Sequence, residues 1–277
     1  MPYTSEEKQF IKFLDSYPTC YKKAHVIAEN KTKETILPTK RGKNTFEIYD
    51  LDDICKSCTS FKEDDISFMP KTTDAIWYNK IKGIFYIYLI EFKGDCLFNN
   101  SRQCKLIDVY ETILELNNEY PKQFQGALND LKEVMEKFSD SLLNSLISKP
   151  LETVTISIPL IYEEYYEKNK DKEGVFPLDI KEFLSKSRIV YRVVSIADEP
   201  NRFKAHSNAK RCSNMSPAIC EKYAIKYDEP QLKYSYSSNL KTYHKRYQKA
   251  GIIHDADFID NNSFENFIQN HLKRKEV

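Results

Sequence analysis

Asp74, Glu91 and Lys93 are the residues of this 277-residue chain whose types and spacing could do chemistry together. The stretch "GIFYIYLIEFKGD", residues 83–95, carries only one charge between Ile84 and Glu91, and that charge comes last. Lys93 follows two positions later. Side chains alternate across a strand, so Phe85, Ile87, Leu89, Glu91 and Lys93 share one face, while Ile84, Tyr86, Tyr88, Ile90 and Phe92 share the other. Both faces are apolar until the end, the pattern of a central strand covered on both sides. A carboxylate at the mouth of such a strand needs a partner, because burying a lone charge is costly. A second carboxylate beside it would repel it unless positive charge lay between them, and a hard divalent cation with oxygen ligands supplies that charge. Lys93 could then hold a phosphate oxygen or orient a water. The chemistry to which this set points is that of a divalent cation with a phosphate oxygen or a water beside it.

The second carboxylate is Asp74, sixteen residues before Glu91, in a second strand candidate, "TDAIWYN" (73–79). The turn "KIKG" links the two strands, and four residues ending in glycine suit a hairpin loop. If Asn79 pairs with Ile84, Asp74 lies opposite Leu89, on the Glu91 face and roughly 6–8 Å from Glu91 before side-chain reach.

The remaining elements follow from periodicity. Residues 5–16 predict a helix, with Phe10, Phe13 and Leu14 three and four apart. "ETILPTKRGKNTFEIYDL" (34–51) predicts strand, turn, strand, with Arg41-Gly42 in the turn. Leu106, Val109, Tyr110, Ile113 and Leu114 mark one helix. Pro121 opens another, which runs to about Lys149-Pro150. "ETVTISIPLIY" (152–162), rich in β-branched residues, predicts a strand, as does "SRIVYRVVSIAD" (187–198). Residues 199–215 read as a polar loop, and 216–225, 238–250 and 263–274 as helical segments. The expectation is an α/β (α+β) protein on a mixed sheet, with residues 1–198 as its core domain and 199–277 as a mainly helical C-terminal extension.

"DAIWYNKIKGIFYIYLIEFK" resembles the PD-(D/E)XK nuclease superfamily. Asp74 matches that family's first acidic residue, Glu91 its second and Lys93 its lysine, and a proline, Pro70, precedes Asp74 by four positions rather than standing beside it. Family members place the first acid on one strand and the E-x-K on the next, and a helix and further strands usually follow; here the resemblance covers roughly residues 60–160. It implies a restriction-endonuclease-like mixed central sheet flanked by helices. It also implies Mg²⁺ (or Mn²⁺) held by Asp74, Glu91 and a backbone carbonyl near Phe92, a water activated there, and DNA as substrate. In related nucleases a polar residue of the following helix often reaches the site, which makes Gln123 and Gln125 candidates. Glu6 or Glu7 of the N-terminal helix is another candidate supporting ligand.

Other features compete for a role. "CKSC" (Cys55, Cys58) has the spacing of half a zinc site, but no second C-x-x-C occurs, and reduced packed thiols are the simpler expectation. "KYSYSSNLKTYHKRYQKAG" (233–251) interleaves basic and aromatic residues. Its Lys241, Lys245 and Lys249 could contact a nucleic-acid backbone while its tyrosines stack on bases, or the same helix could pack by its tyrosines with solvated lysines outside.

Bulk properties narrow the classes. A net charge of +1 argues against a broad polycationic surface but leaves room for a local basic groove. With 6 glycines and no phosphate-binding glycine loop, nucleotide-binding folds are not expected. No apolar run reaches the roughly 18 residues of a membrane helix, and "MPYTSEEKQFIKFLDSY" lacks the basic start and apolar run of a signal peptide. Seven cysteines are an odd number for a disulfide framework, so a reducing, cytoplasmic setting is expected. Two functions stay open: a metal-dependent nuclease acting on DNA, and a catalytically inactive nuclease-fold protein that binds nucleic acid or serves assembly.

Overall fold

The computed structural model describes residues 2–32, 37, 46–59, 70–93, 113, 125–127, 129–130, 145–195 and 245–267. They divide into two compact units, one of residues 1–94, 147–196 and 239–277 and the other of 95–146 and 197–238. The second unit's described residues are helical at 113, 125–127, 129–130 and 145–146. The first contains the sheet.

In chain order its elements are α1 (Ser5–Asp15), β1 (Tyr21–Lys23), α2 (Ala24–Thr32), β2 (Glu47–Asp50), α3 (Leu51–Ser57), β3 (Ala75–Ile81), β4 (Ile84–Lys93), α4 (Ile158–Asn169), α5 (Ile180–Lys186), β5 (Arg188–Ser195), β6 (Asp255–Asp260) and α6 (Asn261–Phe267). The six strands form one mixed sheet in the order β1-β2-β3-β4-β5-β6. β1 to β4 pair antiparallel with one another, β5 joins β4 in parallel and β6 joins β5 in parallel. The expected α/β class on a mixed sheet is what the chain adopts.

β4 has a hydrogen-bonded neighbour on each side and is buried on both faces. On the Glu91 face, Phe85 meets Tyr78, Phe10 of α1 and Phe183 of α5 at ring-centroid distances of 5.8, 6.0 and 5.6 Å. Phe13 of α1 carries that layer on to Tyr162 and Tyr165 of α4. On the other face, Phe92 meets Phe264 of α6 at 5.9 Å and Tyr88 meets Phe267 at 5.6 Å. Aromatic residues thus form layers of stacked, tilted and edge-to-face rings above and below one strand.

The β3–β4 hairpin is tighter than its sequence suggests. Ile81 pairs with Ile84, leaving only Lys82 and Gly83 in the turn, both with positive φ (51° and 85°). That backbone matches the right-handed twist of the strands, which a wider loop does not require. The pairing is therefore two residues offset from the expected one, and Ala75, not Asp74, ends the ladder opposite Ile90. A shift of two preserves the faces, so Asp74 stays on the Glu91 side and comes level with Glu91 itself.

The stretch expected as a strand at 152–162 is instead helical. Residues 145–152 are helical, Thr153–Ser157 form one π-helical turn and α4 continues to Asn169. The hydroxyl-bearing residues that suggested a strand serve the helix: Thr155 Oγ1 donates to Leu151 O at 2.8 Å, and Ser157 Oγ to Glu152 O at 3.5 Å. Tertiary bonds fix the rest. Lys71 N donates to Glu152 at 2.8 Å and Thr73 N to Thr153 Oγ1 at 3.0 Å, so the helical turn is tied to the residues that lead into β3.

The C-terminal segment, expected to be mainly helical, contributes a strand, β6, beside β5. Helix is found at 245–249 and in α6. The first strand of the expected 34–51 hairpin, most of the expected helices between 105 and 144, and segment 216–225 lie outside the described residues. No helix among the described residues is long and apolar enough to cross a membrane.

Candidate active site

Asp74, Glu91 and Lys93, which the sequence brought to one face, meet at the open end of the β3–β4 pair. Glu91 is fully buried, and the side chain of Asp74 is only 6% exposed. The strand ladder ends at Ala75, and there the side chain of Asp74 takes over: Phe92 N donates to Asp74 Oδ2 at 2.7 Å. The backbone of Asp74 is held in turn, its carbonyl accepting from Leu51 N at 3.1 Å where β2 passes into α3. Burial and the neighbouring Glu91 push the Asp74 carboxyl up to about 7, against the pull of Lys149, Lys93 and the Phe92 amide.

Lys149 is the member that sequence reasoning missed. Its Nζ lies 2.6 Å from Glu91 Oε1 and 4.0 Å from Asp74 Oδ1, with its side chain 18% exposed. Burial works against its charge, yet Glu91 and Asp74 outweigh that and raise its affinity for the proton. The bonds that tie residues 152 and 153 to the β3 approach place this lysine over the acids, and Lys71 Nζ adds a 3.3 Å bond to Ser148 Oγ. Lys93 also contacts Glu91 Oε1. Both ammonium groups therefore crowd one oxygen of Glu91. The other, Oε2, is buried with no partner among the described residues. The hydroxyl of Tyr191 is in the same condition. Tyr191 pairs with Leu89 across the β4–β5 ladder, which puts it on the Glu91 face, and burial together with Glu91 and Asp74 keeps its hydroxyl protonated.

Beside this set lies a second charged group. Lys31 reaches Asp50 at 3.7 Å and Asp52 at 2.5 Å, Lys22 reaches Asp50 at 3.4 Å and also Asp53, and Thr72 donates to Asp52. Asp50 additionally caps α3 through Asp53 N at 3.1 Å. These acids already have lysine partners and a structural task.

The other candidates fall elsewhere. Glu7 accepts from Thr4 N and pairs with Lys80 at 2.7 Å, near the turn end of β3 and away from Asp74, while Glu6 is exposed. Gln125 belongs to the other unit, where it donates to Asn129 at 3.1 Å, and Gln123 lies outside the described residues. Cys55 and Cys58 are buried free thiols, and Cys58 Sγ donates to Ile54 O at 3.3 Å. Lys245 and Lys249 are exposed on the 245–249 helix, and Lys241 lies outside the described residues.

The donor set suits a divalent cation that keeps most of its own waters. Among the described residues no three His, Cys, Asp or Glu side chains converge into a closed cage. Mg²⁺ characteristically takes one or two carboxylates and retains water, and Glu91 Oε2 offers such a cation an uncommitted oxygen.

No family model matches the chain, and no curated protein or solved structure is significantly similar to it.

Proposed function

We propose that the protein is a metal-dependent nuclease that hydrolyses phosphodiester bonds, with DNA as its substrate. One observation carries the reading: Asp74, directly before β3, stands level with Glu91 of β4, both buried, with Lys93 two positions beyond the second acid. The restriction-endonuclease-like fold belongs to the same proposal, supported by the hairpin that holds the acids and by the helical and strand segments that follow it.

Asp74 and Glu91 would hold Mg²⁺ or Mn²⁺, which lowers the pKa of water and offsets charge on a phosphodiester. Lys93, at the strand mouth with its side chain 24% exposed, can turn from Glu91 toward a scissile phosphate and stabilise the charge that develops there. Lys149 balances the acids when no other cation does. The Phe92 amide fixes the Asp74 carboxylate, so little reorganisation is needed on binding.

The non-catalytic alternative also has an observation in its favour. Two lysines already neutralise the acid pair, which a purely structural ion cluster would also require. Nicking of plasmid and cutting of linear DNA with Mg²⁺ or Mn²⁺ separates the two. Asp74→Asn, Glu91→Gln and Lys93→Ala should each lose at least about a hundredfold in rate. Full activity in Glu91→Gln would overturn the catalytic reading, and no cleavage by the wild type would favour the binding protein.

A further inference from the structure

Glu91 carries its two ammonium partners on Oε1 alone, while Oε2 and the Tyr191 hydroxyl are both buried and unpartnered among the described residues. Buried polar atoms without a partner are uncommon, because each forfeits its hydration. Two of them on one face of adjacent strands call for a shared occupant. The donor–acceptor inventory says which. Glu91 Oε2 only accepts, and a neutral tyrosine hydroxyl can donate one proton and accept others. The two form no direct hydrogen bond. A water completes both, donating to Oε2 and accepting from Tyr191, in a setting that is polar enough to keep it.

We infer that Tyr191 is a positioning residue of the proposed nuclease: with Glu91 Oε2 it orients a buried water at the acid pair, acting through that water rather than on the substrate. The inference rests on the nuclease reading for its role in turnover, but the water itself does not. A donor aimed at one lone pair of a water leaves the other directed away, and this selects the water's orientation without changing its charge. Tyrosine suits that task better than a lysine, because a third ammonium would bring more positive charge than the two acids can balance.

The fold provides a matched control. Tyr88 is also buried with an unpartnered hydroxyl, but it lies on the opposite face of β4, against Phe267 of α6. Tyr191→Phe and Tyr88→Phe each remove one oxygen and leave the ring, so both should fold.

The test has two arms. In a crystal structure of the metal-free protein at a resolution that shows waters, one water should sit within about 3.2 Å of both Tyr191 Oη and Glu91 Oε2, and Tyr191→Phe should lose it. In Mn²⁺-supported cleavage of linear DNA, Tyr191→Phe should lower kcat at least about tenfold with KM for DNA unchanged, while Tyr88→Phe matches the wild type. A missing water, a wild-type kcat in Tyr191→Phe, or an equal loss in Tyr88→Phe overturns the inference and leaves the nuclease reading standing. A wild type that holds the water yet cuts no DNA overturns the nuclease reading and the positioning role with it.

Discussion

Lys149 Nζ lies 2.6 Å from Glu91 Oε1, joining residues 58 apart in the sequence inside the sheet's covered end. An ammonium held there neutralises the carboxylate that a cation on Oε2 would need, and repels that cation. Lys149→Met keeps an unbranched side chain one atom shorter and removes the charge. Apparent Mn²⁺ affinity should rise about tenfold, read from the dependence of Tm on Mn²⁺ concentration. Metal-free stability should fall by about 1–3 kcal/mol, because Glu91 keeps only Lys93. Unchanged Mn²⁺ affinity would show that the ammonium does not oppose metal binding at Glu91.

The two acids should differ in sign when neutralised. Asp74 is a carboxyl that burial and Glu91 make reluctant to ionise, so Asp74→Asn should raise metal-free stability above neutral pH by about 1–3 kcal/mol. Glu91 anchors two lysines, so Glu91→Gln should lower stability by a similar amount. Urea unfolding of both variants at pH 8 without metal checks this, and equal signs would refute it. The sequence alone suggested relief of repulsion for either acid; the lysines make the difference.

The raised carboxyl also sets a pH dependence. The ordinary aspartate value is about 3.9, whereas Asp74 in the fold titrates at about 7. Between those values the folded chain binds a proton that the unfolded chain has released, so this group's contribution to stability declines as pH rises from about 4 to 7 and is level above that. Asp50, raised by burial, acts in the same direction. Urea midpoints of the metal-free protein should decline over that window, and Asp74→Asn should flatten the decline. Mn²⁺ must displace the same proton, so its apparent affinity should climb up to about tenfold per pH unit below 7 and then level. A pH-independent Mn²⁺ affinity would contradict the assignment of Asp74 as a ligand.

Lys245 and Lys249 are exposed on one short helix, and Lys241 lies outside the described residues. If they touch a nucleic-acid backbone, replacing all three by alanine should weaken binding to every DNA sequence alike. The slope of log affinity against log salt should shrink by about one for each phosphate that is no longer neutralised. Turnover at saturating DNA should stay at the wild-type level. An unchanged slope would make these lysines a solvated face only.

Legibility in the sequence followed the range of the forces involved. The hairpin and its acids could be read because period-two alternation is local and the greasy run of β4 has one interpretation. Even the wrong turn length did no harm, since an offset of two leaves each residue on its face. Residues 152–162 misled because β-branching is a weak preference. The bonds from Lys71 N and Thr73 N that hold this stretch helical come from some 80 residues away. Lys149 was invisible for the same reason: its role depends on where its helix docks. β6, "DADFID", is short and half acidic, and becomes a strand because β5 offers it an edge.

The parallel pairing of β4 with β5 has a consequence for when the site can exist. A chain emerging from the ribosome completes the β3–β4 hairpin once Lys93 is out, with Asp74 and Glu91 level and only Lys93 to balance them. Lys149 arrives more than fifty residues later, and Tyr191 later still. Closing so long a loop is slow compared with forming a hairpin. The nascent protein therefore passes through an interval in which it carries its acids but lacks the groups that flank them.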